Sequence, residues 1–182
     1  MNISIKNKLS KSLKVKIIST SSRGNFIYER DENKILELVH PKWFSKKAIT
    51  KYDNTNIKIE PKNYWGKTYL ILKEGVEKGS IDVDWKNNIT ITFMDQDEIT
   101  RTFKMTKKGF WKQQFEFSNL KGEIVIVLIP LSTWKKWTND LAIESPSKCA
   151  DQKYFDELVI YCGFVVLLMQ QYAALGAIQY YI

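Results

Sequence analysis

From Asn25 to Glu144 apolar and polar residues alternate in short runs. Phe26-Ile27-Tyr28, Ile57-Lys58-Ile59, Tyr69-Leu70-Ile71-Leu72, Ile81-Asp82-Val83-Asp84-Trp85 and Ile89-Thr90-Ile91-Thr92-Phe93 are rich in β-branched and aromatic side chains, as are Thr102-Phe103-Lys104-Met105, Phe115-Glu116-Phe117 and Ile124-Val125-Ile126-Val127-Leu128. A period of two is that of a strand with one buried face. Turn-forming residues separate the runs: Asp53-Asn54, Lys73-Glu74-Gly75, Lys86-Asn87-Asn88, Asp95-Gln96-Asp97, Lys108-Gly109 and Lys121-Gly122. Strands and turns at this spacing predict antiparallel meanders over 25–144, closed as a sandwich or a barrel.

After Glu144 the pattern changes. Ser145-Pro146-Ser147 is a break, Asp151, Asp156 and Glu157 suit the positive end of a helix dipole, and Gly176 suits a helix stop, which predicts a helix over 151–176. Within it Leu158 to Met169 is a run without a charge. A helix apolar all round belongs in a protein core or in lipid. The run ends at Gln170-Gln171, short of the roughly 20 residues that cross a bilayer. This length favours a buried helix; a tail anchor, with Lys148 and Lys153 on the cytosolic flank, is the alternative.

Residues 1–23 form a basic leader, with Lys6, Lys8, Lys11, Lys14, Lys16 and Arg23 and no acidic residue. Ile5, Leu9, Leu13 and Ile17 recur every four residues, as in an amphipathic helix, while Lys14-Val15-Lys16-Ile17 alternates as a strand. The expectation is a strand from about Leu13 to Ser19 after a flexible start; a helical leader would suit a membrane surface or a partner. The whole chain of 182 residues fits one domain with a substantial core.

The leader supplies most of a formal net charge of +8, which favours anionic partners: a lipid headgroup, nucleic acid or an acidic protein. Trp43, Trp65, Trp85, Trp111 and Trp134 recur at nearly even spacing, each interval long enough for one hairpin. Several adjoin lysine and a second aromatic: Lys42-Trp43-Phe44, Tyr64-Trp65-Gly66-Lys67, Phe110-Trp111-Lys112 and Trp134-Lys135-Lys136-Trp137. Such clusters either grip phosphates and stack on bases, or close the ends of a barrel core beneath snorkelling lysines. No continuous apolar segment marks a secretory signal, so a cytoplasmic protein is expected. The two cysteines, Cys149 and Cys162, indicate neither a disulfide framework nor a zinc site.

Short antiparallel strands followed by a hydrophobic C-terminal helix resemble the tubby C-terminal-like superfamily, which includes the LURP-one-related proteins and the phospholipid scramblases. The likeness spans about residues 25–180 and is similar in local texture at Ile59-Glu60-Pro61-Lys62-Asn63-Tyr64-Trp65-Gly66, Lys107-Lys108-Gly109-Phe110-Trp111, Phe115-Glu116-Phe117, Leu120-Lys121-Gly122 and the helix Glu157 to Gln171. It implies a closed barrel of about twelve strands with the helix threaded through it, filling an interior too wide for the strand side chains alone. Neither the superfamily's phosphoinositide-binding pattern nor the scramblases' calcium site aligns here; Asp95-Gln96-Asp97-Glu98 lacks the glycine of an EF-hand loop and reads as a hairpin tip.

His40 is the only histidine and is expected to be structural, before Pro41 in a turn. No nucleophile elbow, phosphate-binding loop, dinucleotide fingerprint or paired-cysteine motif occurs. Asp82 and Asp84, with Glu60 or Glu77, offer a carboxylate pair for glycoside chemistry, or simply the solvent face of a strand. The expectation is therefore a non-enzymatic binding module without catalytic residues, metal or cofactor. Its site residues are Lys107, Lys108, Lys112, Lys135 and Lys136, assisted by the leader lysines, and its partner is an anionic lipid headgroup or a protein, peripherally at a membrane. An assembly protein joined through aromatics and strand edges, and nucleic-acid binding through the leader, are the rivals.

Overall fold

The computed structural model describes residues 15–42, 45–63, 67–86, 88–109, 113–131, 139–146, 149 and 152–174, the last three by backbone alone. Twelve antiparallel strands follow one another around a closed barrel: β1 Val15–Ser19, β2 Phe26–Arg30, β3 Asn33–Val39, β4 Ala48–Tyr52, β5 Thr55–Pro61, β6 Thr68–Lys73, β7 Val76–Val83, β8 Ile89–Met94, β9 Thr100–Lys108, β10 Gln114–Asn119, β11 Ile124–Leu131 and β12 Asp140–Glu144. β12 closes on β1, with Val15 opposite Ile143 and Ile17 opposite Leu141. Closure leaves no unpaired edge.

The alternation selects the faces. Ile17, Phe26, Tyr28, Leu38, Ile59, Ile71, Ile91, Phe93 and Phe117 point inward and are buried, while Lys16–Glu29, Lys58–Glu60 and Lys108–Glu116 pair across the outer wall. That wall is not the apolar band a lipid-embedded barrel presents. β1 lies within the lysine-rich leader, so the strand reading of that segment holds and the leader preceding the barrel shortens to residues 1–14. Trp85 lies in the turn after β7, not in the strand.

Helix α1, Phe155–Ala174, runs through the barrel. Every apolar side chain from Leu158 to Leu167 is at most 3% exposed, around the whole circumference of the helix. Gly163 makes the fit possible, since a Cβ there would stand 2.6 Å from Ile17 Cδ1 and 3.1 Å from Phe26 Cζ. Tyr161 packs edge-on to Phe93, and Phe164 meets Tyr69 edge-on and His40 face-on. The helix is thus the barrel's core, as its length implied. Among the described residues no helix is long and apolar enough to cross a membrane.

Candidate functional site

Because every strand pair is antiparallel, the connections alternate between two ends of the barrel. Among the described residues, 31–32, 53–54, 74–75, 95–99, 120–123, 145–146, 149 and 152–154 lie at the end where α1 begins; 20–25, 40–42, 45–47, 62–63, 67, 84–86, 88, 109, 113 and 139 lie at the other. Among the described residues this second group holds seven cations (Arg23, Lys42, Lys46, Lys47, Lys62, Lys67, Lys86) against Asp84 alone, and Trp85. Among its described residues the first holds eight carboxylates (Asp31, Glu32, Asp53, Glu74, Asp95, Asp97, Glu98, Glu123) against Lys121 and Lys153. A 20-residue helix rises about 30 Å, so the ends stand several Debye lengths apart at physiological salt and act as separate surfaces.

At the basic end the described residues include Trp85, which is 79% exposed, with Lys86 Nζ 4.7 Å from its ring centroid. Asp84, the lone carboxylate, is engaged in the turn: it accepts from the amides of Lys86 at 2.7 Å and Asn88 at 2.9 Å, and these contacts, led by the Asn88 side chain, hold its carboxyl below the usual range. It does not share a strand face with Asp82, which instead accepts from Thr68 Oγ1 and Ser80 Oγ. Lys107 and Lys108 are exposed at this end of β9, Lys108 pairing with Glu116 at 2.9 Å. Lys112, Lys135 and Lys136 lie outside the described residues, as do Lys6, Lys8, Lys11 and Lys14. Lys16 is on β1, paired with Glu29 at 2.9 Å.

β1 starts at the end opposite Lys107 and Lys108. The structure adds cations that the sequence reading left out of its site: Lys46, Lys47, Lys62 and Lys86 share the end of Lys107. The signal that collects them is the parity of the hairpin connections, because every second one returns to the same end.

Beneath the basic end His40 is 6% exposed, its amide donating to Asn25 Oδ1 at 2.8 Å and its Nδ1 lying 3.1 Å from Ser45 O. Burial lowers its pKa despite the contacts with the Ser45 and Lys47 backbone. Gln170 Oε1 accepts from the Asn139 amide at 2.8 Å, tying the end of α1 to the connection before β12.

The acidic end is built around the start of α1. Asp156 accepts from Tyr28 at 2.6 Å, from Tyr52 at 3.3 Å and from Arg30. Burial first, then the Asp156 charge and hydrogen bond, push both tyrosines well above the ordinary phenol value. Glu157 is buried and accepts from Lys73 Nζ at 2.6 Å and Tyr161 at 2.5 Å; burial outweighs both partners and raises its pKa. For Asp95 the balance reverses. Burial pushes its carboxyl up, but Arg101 and the Ile99 and Asp97 amides together hold it below the usual value. The segment Asp95 to Glu98 is thus a hairpin tip, joined to its neighbours through Gln96 to Asp53 at 2.9 Å and through Asp97 to Lys153 at 3.0 Å. Beside it opens a cleft of about 430 Å³, lined among others by Tyr52, Asp53, Ile57, Met94, Glu98 and Glu157. Among the described residues no group of three or more histidine, cysteine or acidic side chains is placed to hold a metal ion.

No family model matches the chain, and no curated protein matches it. Among solved structures, an X-ray structure of a protein from Arabidopsis thaliana is similar, with 11% identity, 85% of this chain and 89% of that chain covered, and a TM-score of 0.45.

Proposed function

We propose that this chain is a non-enzymatic, cytoplasmic binding module that sets the basic, tryptophan-bearing end of its barrel against an anionic membrane surface. One observation carries the reading: among the described residues charge is divided between the two ends, seven cations against one carboxylate, with the exposed Trp85, falling in the connections of one and eight carboxylates against two lysines in those of the other. Each lysine or arginine near an anionic leaflet contributes about 1 kcal/mol. Tryptophan prefers the headgroup level, where its ring is half in apolar surroundings and half in water. Together they suit a shallow, salt-sensitive contact that leaves the wall in water and the helix inside the barrel. The resemblance to the tubby C-terminal-like superfamily agrees with this reading, and we include membership of it in the proposal.

Vesicle sedimentation tests it. Full-length protein is expected to pellet with vesicles of phosphatidylserine and phosphatidylcholine mixed one to two, and not with phosphatidylcholine alone. Charge reversal at Lys62, Lys67 and Lys86 is expected to weaken pelleting by tenfold or more, each lost attraction being worth about 1 kcal/mol. Trp85→Ala is expected to weaken it further. Equal pelleting of wild-type and reversed protein, or none with anionic vesicles at low salt, would reject the reading and leave a protein partner for this end.

A further inference from the structure

The outer wall differs around the ring. Within three residues of the basic end, the outward side chains of β11 and of β1 to β4 are Ile129, Leu131, Ile18, Ile27, Glu37, Val39 and Ile49. On β7 to β10 the same positions hold Asp82, Thr90, Thr106, Lys108, Gln114 and Glu116. Ile49 and Leu131 are 41% and 45% exposed, and the other four apolar side chains are half-buried. They form a stripe: Ile18 stands opposite Ile27, Val39 opposite Ile49, and Val39 is the diagonal neighbour of Ile27 across β2 and β3. The stripe reaches β11 across β12, whose Ala142 faces Ile129. Of the carboxylates beside it, Glu37 pairs with Lys34 at 2.7 Å and Asp140 accepts from the Ser19 amide at 2.9 Å. On β1, β2, β4 and β12 the next outward positions toward the acidic end are Lys16, Glu29, Lys51 and Glu144. Three strand residues rise about 10 Å, which is the depth of the stripe. Above it, the described residues of the connections 20–25 and 40–47 carry Arg23, Lys42, Lys46 and Lys47 and no carboxylate. Lys47 also meets Glu60 at 2.8 Å.

A shallow apolar band beneath a crown of cations has the profile of a surface lying in a bilayer interface. There apolar side chains enter by about 5–10 Å and cations stay among the phosphates. A second copy packed along the wall would favour an apolar strip running the length of the strands, whereas here charge takes over at the next outward position on four of them. We infer that the barrel sits on an anionic leaflet with this flank sunk, Ile18, Ile27, Val39 and Ile49 entering the boundary between headgroups and acyl chains. Arg23, Lys42, Lys46 and Lys47 then lie among the phosphates. The wall on β7 to β10 stays in water, with Trp85 in its turn at headgroup level. This orientation rests on the membrane reading above and adds to the contact an apolar part that salt does not remove.

Full-length protein with Cys149→Ser, Cys162 being buried, is labelled with a nitrobenzoxadiazole fluorophore at Ile49→Cys or at Thr106→Cys. Both positions are exposed near the basic end, on opposite sides of the ring. Vesicles of phosphatidylserine and phosphatidylcholine mixed one to two carry a doxyl quencher at the headgroup end of the acyl chain. The label at position 49 is expected to lose about half of its emission or more, and that at 106 about a tenth or less. In unlabelled protein, Ile27→Ser with Ile49→Ser, its fold checked by circular dichroism, is expected to weaken pelleting about fivefold, and Thr90→Ala with Thr106→Ala to leave it within about twofold. Equal quenching at the two positions, or unchanged pelleting of the isoleucine variant, would overturn the sunken flank, and the membrane reading would stand if charge reversal still abolished pelleting. No pelleting of the wild type would overturn both. A label at 49 that is shielded from water without vesicles, together with the mass of a dimer, would overturn the lipid contact in favour of a second copy on this flank.

Discussion

At the scale of single residues, buried groups carry the sharpest consequences. His40 is the only imidazole, so its titration is read without assignment. Burial holds its folded pKa below its unfolded value of about 6.5. The unfolded chain therefore takes up the proton first, and stability falls as pH drops below about 6.5 until the folded pKa is reached. Proton NMR of the ring is expected to give a midpoint below 6.5, and His40→Gln to remove that part of the pH dependence of urea unfolding. Lys73 and Glu157 are 14% and 3% exposed, so removing one partner strands the other. Lys73→Met is expected to cost about 3–5 kcal/mol and the double variant with Glu157→Gln distinctly less, measured by urea unfolding in a double-mutant cycle. Neither residue stands out in the sequence. Lys73 reads there as part of a turn and Glu157 as a helix-capping charge, because burial is a property of what surrounds them.

At the scale of elements, the alternation identified most strands; of the three it passed over, β12 alternates cleanly at Leu141 and Ile143 but is only five residues long, while β3 and β4 have a physical reason in common. In β4 the chain buries Ala48 and Thr50 and leaves Ile49 41% exposed, and in β3 Ile35 is 36% exposed, so the hydrophobic pattern there is weak or inverted. Pairing with neighbours on both sides decides these strands where composition does not. The helix was legible in both its length and its burial, because an all-round apolar surface of that length has few stable places. What the sequence does not reveal is the contact at Gly163. Gly163→Ala, which at an exposed helix site gains about 1 kcal/mol, is expected here to destabilise by about 1–3 kcal/mol through its contact with Ile17. Ile17→Val is expected to recover part of the loss in the double variant, again by urea unfolding.

At the scale of the whole molecule, the property that matters is the division of charge between the ends, which the formal net charge of +8 conceals. The lysine clusters were visible along the chain, but their common location was not, since it follows from strand order. Neutralising Glu32, Glu74 and Glu123 at the acidic end is expected to leave sedimentation with anionic vesicles within twofold of wild type. The effect of charge reversal at the basic end would then be one of place and not of net charge.

The threaded helix has a consequence for how the protein is made. α1 follows all twelve strands in the chain, and β1 finds its second neighbour only when β12 has been synthesised. Until β12 has emerged from the ribosome the nascent strands have no closed ring, and until the helix follows their inward-facing aromatics have nothing to pack against and stay open to other chains. Non-local pairing of this kind folds slowly and exposes sticky intermediates. Maturation thus waits for the last element, and nascent chains halted before Asp156 will be clients for chaperones.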